Sequence, residues 1–157
     1  MNFKLRVWRQ QAADSEGTLV DYNATDVSPN TSFLEMLDSL NENLVERGND
    51  MGVYLRDRLQ ELRSHPTIAE VRGLGMLNAI QVTSDKATKG KWKKDSKFPK
   101  RLTTLLGERG LITRVTGEVM HFAPPLIVSR DEIDAMVTIA DQCLTIAENE
   151  FSSEITA

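Results

Sequence analysis

Apolar and polar positions alternate along FKLRVWR, residues 3–9, with Phe3, Leu5 and Val7 on one side and Lys4, Arg6 and Trp8 on the other. A period of two marks a half-buried strand. AADSEG carries turn chemistry, and GTLVDYNATDVSP reads as a returning strand that ends at Pro29, so the first 30 residues predict a β-hairpin. The period then changes. Phe33, Leu37, Leu40, Leu44, Met51, Leu55, Leu59 and Leu62 lie three, four or seven apart, which is one helical stripe. Ser32 and Glu35 have the spacing of a capping box at its start. His65-Pro66 closes it, because the residue before proline avoids the helical region. Gly48 stands inside the stripe, but a glycine within a helix costs only about 1 kcal/mol. The stripe stays in phase from Leu44 to Met51 and Leu55, so the spacing predicts one helix of about 33 residues.

Beyond it, Ile68 to Val82 is β-rich and punctuated by Gly73 and Gly75, which gives two short strands or one strand with a bulge. Residues 84–101 form a polar loop. Pro99 opens a short helix through Leu102, Leu105 and Leu106, with Gly110 as its left-handed stop. LITRV and EVMHFA flank Thr116-Gly117 as a second hairpin that ends at Pro124-Pro125. Ser129 and Glu132 form another capping box, followed by an amphipathic helix through Ile133, Met136, Ala140, Cys143, Leu144, Ala147 and Phe151. The order predicts an α/β (α+β) fold: an N-terminal β-hairpin, a long connecting helix, then a small mixed sheet of about four strands packed with two further helices.

At 157 residues, with 40% hydrophobic and 27% charged residues, the chain has the composition of a folded protein of one ordinary domain or two very small ones. A single cysteine, Cys143, excludes an internal disulfide and an all-cysteine metal or cluster site within one copy. The apolar runs fall short of a membrane span, MNFKLRVWRQQ lacks the features of a signal peptide, and no internal repeat is present, so the expected location is cytoplasmic. A net charge of −4 argues against a dedicated nucleic-acid binder.

Two resemblances refine this. ENLVERGNDMGVYLRDRLQEL, VRGLGMLNAIQV, ERGLITRVTGEVMHFAPPLIVS and RDEIDAMVTIADQCL, in that order, resemble the C-terminal small domain of class III (fold type I) pyridoxal-phosphate aminotransferases, over about 42–152. DKATK with KFP, and GLITRVTGE, look most like the ω-amino-acid or amine:pyruvate branch. LRVWRQ, a turn, and DVSPNTSFLEMLD with LNE behind it are similar to the N-terminus of the succinate dehydrogenase or fumarate reductase iron–sulfur subunit, where a β-grasp ferredoxin domain begins. That family's cluster cysteines do not follow here. The expected organisation is a truncated β-grasp segment at 1–47, an aminotransferase small domain at 42–152 and a tail at 153–157, as in a chimeric reading frame joined at ENLVERG.

The first resemblance implies pyridoxal 5′-phosphate as family cofactor and amino transfer from an ω-amino acid or amine to pyruvate as parent reaction. That chemistry needs a Schiff-base lysine, an acid at the pyridine nitrogen and phosphate-binding groups. The resemblance assigns all three to a large domain, so this chain alone is expected to be non-catalytic and to bind no cofactor. Its eight lysines are Lys4 and seven in the 86–100 loop, and a hydrated lysine cluster opposes the desolvation a Schiff-base lysine requires. Arg114, in ITRVTG, matches the arginine that in the ω-transaminase branch reaches the substrate carboxylate; a guanidinium fork binds a carboxylate through two parallel hydrogen bonds. The other reading of Arg114 is a strand arginine facing water. His121, in VMHFAPP, stands where acetylornithine-type relatives place a carboxylate-binding arginine, which favours the ω branch; by itself it reads as a strand histidine on the sheet surface. His65 reads as a helix end, and neither histidine has metal-ligand spacing with Cys143.

The 84–101 loop carries seven lysines, one arginine and two aspartates, with Trp92 and Phe98 among them. A solvated loop is the simpler reading of this charge than a nucleic-acid patch. VRGLG lacks the strand–glycine–helix context of a phosphate loop. No nucleic-acid or membrane partner is expected. Self-association is, because both halves resemble pieces of larger folds with apolar surface left uncovered. The alternative functions are an electron-transfer subunit fragment or a non-enzymatic binding or assembly module.

Overall fold

A computed structural model describes residues 1–10, 14–25, 27–36 and 44–156. The chain divides into two compact units, Met1–Arg47 and Gly48–Ala157.

In the first unit, β1 (Phe3–Arg9) pairs antiparallel with β2 (Thr18–Ala24), with Arg6 opposite Asp21 and Val7 opposite Val20. Leu5, Val7, Val20 and Tyr22 are the more covered residues, and Trp8 and Leu19, opposite each other on the other face, are exposed. On that face the Arg6 guanidinium meets Asp21 at 2.7 Å and holds its carboxyl below the usual range. The Ser32–Glu35 capping box is formed, with Ser32 N–H donating to the Glu35 carboxylate at 2.7 Å and Glu35 N–H to the Ser32 hydroxyl at 3.3 Å. Residues 33–36 are helical. Leu37, Leu40 and the 42-boundary of the expected helix and domain lie outside the described residues, so the helix of about 33 residues is seen only in its parts.

The later part of that stripe is α1 (Leu44–Glu61), which runs through Gly48 without a break. It tightens into a 3-10 turn at Leu62–Ser64 and stops at His65, whose backbone is extended as the following proline requires. Among the described residues of the stripe, Leu55, Leu59 and Leu62 are the buried ones.

The second unit is built on a four-stranded sheet in the order β3 (Ile68–Leu74), β4 (Leu77–Val82), β6 (Val119–Phe122), β5 (Val115–Thr116). The sheet, expected to be mixed, is antiparallel at every junction, because hairpin loops join β3 to β4 and β5 to β6, and β6 reaches β4 in the reverse sense. The glycine-punctuated run is two strands, with a register shift between Ile68 and Glu70. The expected strand 111–115 is shorter, pairing only from Val115.

α2 (Phe98–Glu108) begins with Pro99 in its first turn and ends before Gly110, whose φ of +84° suits a residue without a Cβ. α3 (Arg130–Glu150) starts at a complete Ser129–Glu132 capping box. Ile80, Val82, Met120 and Phe122 form the core face of the sheet, in one cluster with Leu55, Leu102, Leu106, Ile133, Leu144 and other buried residues of the helices. α1 approaches the β3–β4 turn so closely that a Cβ on Gly52 would lie 2.3 Å from the backbone of Gly75. Buried Asn78 holds that turn by donating its amide to the Gly75 carbonyl at 2.8 Å.

Candidate substrate-carboxylate site

The alternation that sends Asn78, Ile80 and Val82 into the core turns Leu77, Ala79 and Gln81 to the opposite face of β4. Register then sets Arg72, Ala79 and His121 side by side across β3, β4 and β6. Two hollows flank this row. Arg72, Gly73, Leu74, Leu77, Asn78, Ala79 and His121 line one of about 390 Å³. The other, of about 410 Å³, runs from Gly110–Thr113 to His121–Pro125 and Met136. His121 thus stands between them, partly exposed on the outward side of the sheet.

Arg114 lies beside the second hollow. Its backbone is stitched to β6: His121 N–H donates to the Arg114 carbonyl at 3.0 Å, and the Thr113 hydroxyl donates to the His121 carbonyl. The Arg114 side chain is exposed and makes no hydrogen bond or ion pair among the described residues. Arg72, in contrast, donates to Gln81 at 3.2 Å and sits 3.9 Å from Glu70. An anchored backbone carrying an uncommitted guanidinium can present its paired donors to an incoming carboxylate.

The lysines do not fit a cofactor-anchoring role. Lys86 is half-buried, but its ammonium donates to the carbonyls of Arg63 and His65, where α1 and its 3-10 turn end. Lys89 pairs with Glu70 at 2.7 Å, and the remaining six are exposed. A pyridoxal aldehyde needs an uncommitted amine in a desolvated pocket, and none of these lysines stands in one. The lysine-rich loop is also less open than its composition suggests. Asp85 accepts from Ala87 N–H at 2.9 Å and Thr88 N–H at 3.1 Å, which folds the loop back on itself. Trp92 and Phe98, the aromatics of this loop, are buried and stacked with ring centres 4.0 Å apart.

His65 departs furthest from the sequence reading. It is a buried hub rather than only a helix end, with Nδ1 2.8 Å from Glu148 and Nε2 3.0 Å from Asp141. The one signal in the sequence is the spacing of seven between those carboxylates, which stacks them on one helix face; nothing local links them to residue 65. Cys143 is fully buried, and burial pushes its thiol pKa up. Among the described residues no group of three or more potential ligands could hold a metal, and no helix is long and apolar enough to cross a membrane.

Comparison with known proteins joins these observations. The profile of the family "Aminotransferase class-III" matches residues 24–144, which is 121 of the 157. The match begins earlier than the expected boundary at 42. The putrescine–pyruvate aminotransferase of Pseudomonas aeruginosa is 36% identical over 95 residues, 58% of this chain and 20% of that protein. A transaminase solved with L-alanine is 33% identical with a TM-score of 0.68, over 74% of this chain and 28% of that one. The ω-transaminase of Pseudomonas jessenii, solved with pyridoxamine phosphate, is 29% identical with a TM-score of 0.69, over 75% and 26%. The chain therefore spans between a fifth and three tenths of the length of these proteins. On this profile match, the chain belongs to the class-III aminotransferase family.

Proposed function

We propose that the chain is the C-terminal small-domain portion of a class III aminotransferase, that its parent reaction moves an amino group from an ω-amino acid or amine to pyruvate, and that Arg114 holds the substrate carboxylate. The observation that carries the site is the exposed, unpaired Arg114 guanidinium on a backbone fixed to β6. The similarity to a putrescine–pyruvate aminotransferase and to ω-transaminases supports the substrate class. Pyridoxal phosphate, the family cofactor, supplies the electron sink for amino transfer. With no fitting lysine among its own eight, the chain alone is inactive and needs the remainder of such an enzyme for turnover. Purified chain supplied with pyridoxal phosphate, putrescine and pyruvate should form no alanine; steady alanine production would overturn the inactive assignment. Pyruvate titrated against the Arg114 Nε–H resonance tests the site: a saturable shift that Arg114→Gln removes supports it, and a response unchanged in Arg114→Gln sinks it.

For residues 1–47 the reading is a truncated iron–sulfur-subunit N-terminus without its cluster, supported by the hairpin and the capped turn at 33–36. The family profile begins at residue 24 and so overlaps this segment. A genomic read across codons 40–52 tests it, since an uninterrupted aminotransferase frame upstream of codon 40 would refute a join.

A further inference from the structure

Where the 3-10 turn after α1 meets β3, His65 is 8% exposed and both of its ring nitrogens face carboxylates of α3. Both can donate only when the ring is an imidazolium, so this geometry belongs to the charged form. The groups around it are few. From α3 come Asp141 and Glu148. From the turn just before β3, the Thr67 hydroxyl and backbone N–H both donate to the second oxygen of Glu148. From the loop, the Lys86 ammonium lies 3.1 Å from the His65 carbonyl, on the backbone side of the ring. Arg58 and Glu61 of α1 share with Asp141 a groove of about 230 Å³, closed by Leu62, Val137 and Thr138.

We propose that this corner is a proton-operated latch: when His65 loses one proton, its ring stays on Glu148 and releases Asp141 into the groove between α1 and α3. A neutral imidazole has one N–H, so one nitrogen must turn a lone pair toward a carboxylate. The bond that survives is set by what each carboxylate loses. The Glu148 side chain is 11% exposed and holds Thr67 as well, so stranding it would leave a buried, partly unpaired charge. The Asp141 side chain is 55% exposed, and water can replace the ring. The freed carboxylate then faces Arg58, which already pairs with Glu61 and Asp134. The Glu148 hydrogen bond leads the upward shift of the His65 pKa, with Asp141 adding to it and burial opposing, so the change falls above the ordinary histidine value of 6.5.

A pH titration of the whole chain by NMR, reading the His65 ring nitrogens, the Asp141 carboxyl carbon and the Val137 and Thr138 methyls, tests the latch. The expected result is a neutral ring protonated at Nδ1, with the Asp141 and methyl signals stepping at the His65 midpoint. Asp141→Asn, a surface change that leaves the Glu148 contact, should lower that midpoint and flatten the methyl step. A neutral ring protonated at Nε2 would overturn the proposal. So would methyls that stay flat through the His65 midpoint, or a midpoint unchanged in Asp141→Asn.

Discussion

At the scale of single residues, His65 makes stability depend on pH in a direction that can be worked out. Its folded pKa lies above the unfolded value, so its contribution is complete below 6.5 and is lost as pH rises through the folded value. Thermal unfolding followed from about pH 6 to 9 should show this loss in the parent chain, and His65→Gln should remove most of the slope. Glycines give a second contrast. Gly52 and Gly107 look alike in the sequence, each inside a helical run. Gly52 has the Gly75 backbone where its Cβ would go, whereas a Cβ on Gly107 meets nothing within 4 Å. Gly52→Ala should therefore destabilise by about 1–3 kcal/mol, while Gly107→Ala should stabilise by up to about 1 kcal/mol. Urea unfolding of the two variants checks both signs, and a stabilised Gly52→Ala would show that the helix and turn are not packed as described. Arg114 was legible as a residue but not as a geometry: its motif singled it out, while the Thr113 and His121 bonds that fix its backbone join positions eight and seven apart across a turn.

At the scale of elements, helix starts were read accurately because their signals are local. The Ser129–Glu132 box is such a case, and Ser129→Ala should cost about 1 kcal/mol, measured as a lower urea midpoint; an unchanged midpoint would mean α3 does not depend on its cap. Strand 111–115 was over-read: the ladder to β6 is confined to Val115–Thr116 against Val119–Met120, and before it the chain is held by His121 N–H on the Arg114 carbonyl and the Thr113 hydroxyl on the His121 carbonyl. The places of the two aromatics of the lysine-rich loop were not legible in the sequence, because composition says nothing about which side of a loop faces the core. Phe98 stacks on Trp92 and meets Phe151 edge-on at 5.7 Å, joining the loop, α2 and the end of α3. Phe98→Ala should cost about 3–5 kcal/mol, and loss of the near-ultraviolet signal from Trp92 would accompany it.

For the whole molecule, the apolar side chains left outside the core bear on assembly. Leu74 is 85% exposed and Ile112 93%, and Phe33 and Leu34 are exposed in the first unit. Sedimentation velocity should show concentration-dependent self-association, and Leu74→Lys with Ile112→Lys should weaken it. A monomer across the accessible concentration range would count against that reading.

Sequence by itself determined the periodic elements, their caps and stops, and the family, because each rests on residues close in the chain or on an ordered set of segments. The continuity of α1 through Gly48 was among these, since a phase-locked stripe outweighs one glycine. Tertiary structure decided what those elements do to one another. It made the sheet antiparallel throughout, buried Trp92, pressed Gly52 onto Gly75, and closed two carboxylates around His65. Each of these joins residues far apart in the chain. Long-range pairing is fixed by packing and register, and a local pattern carries neither.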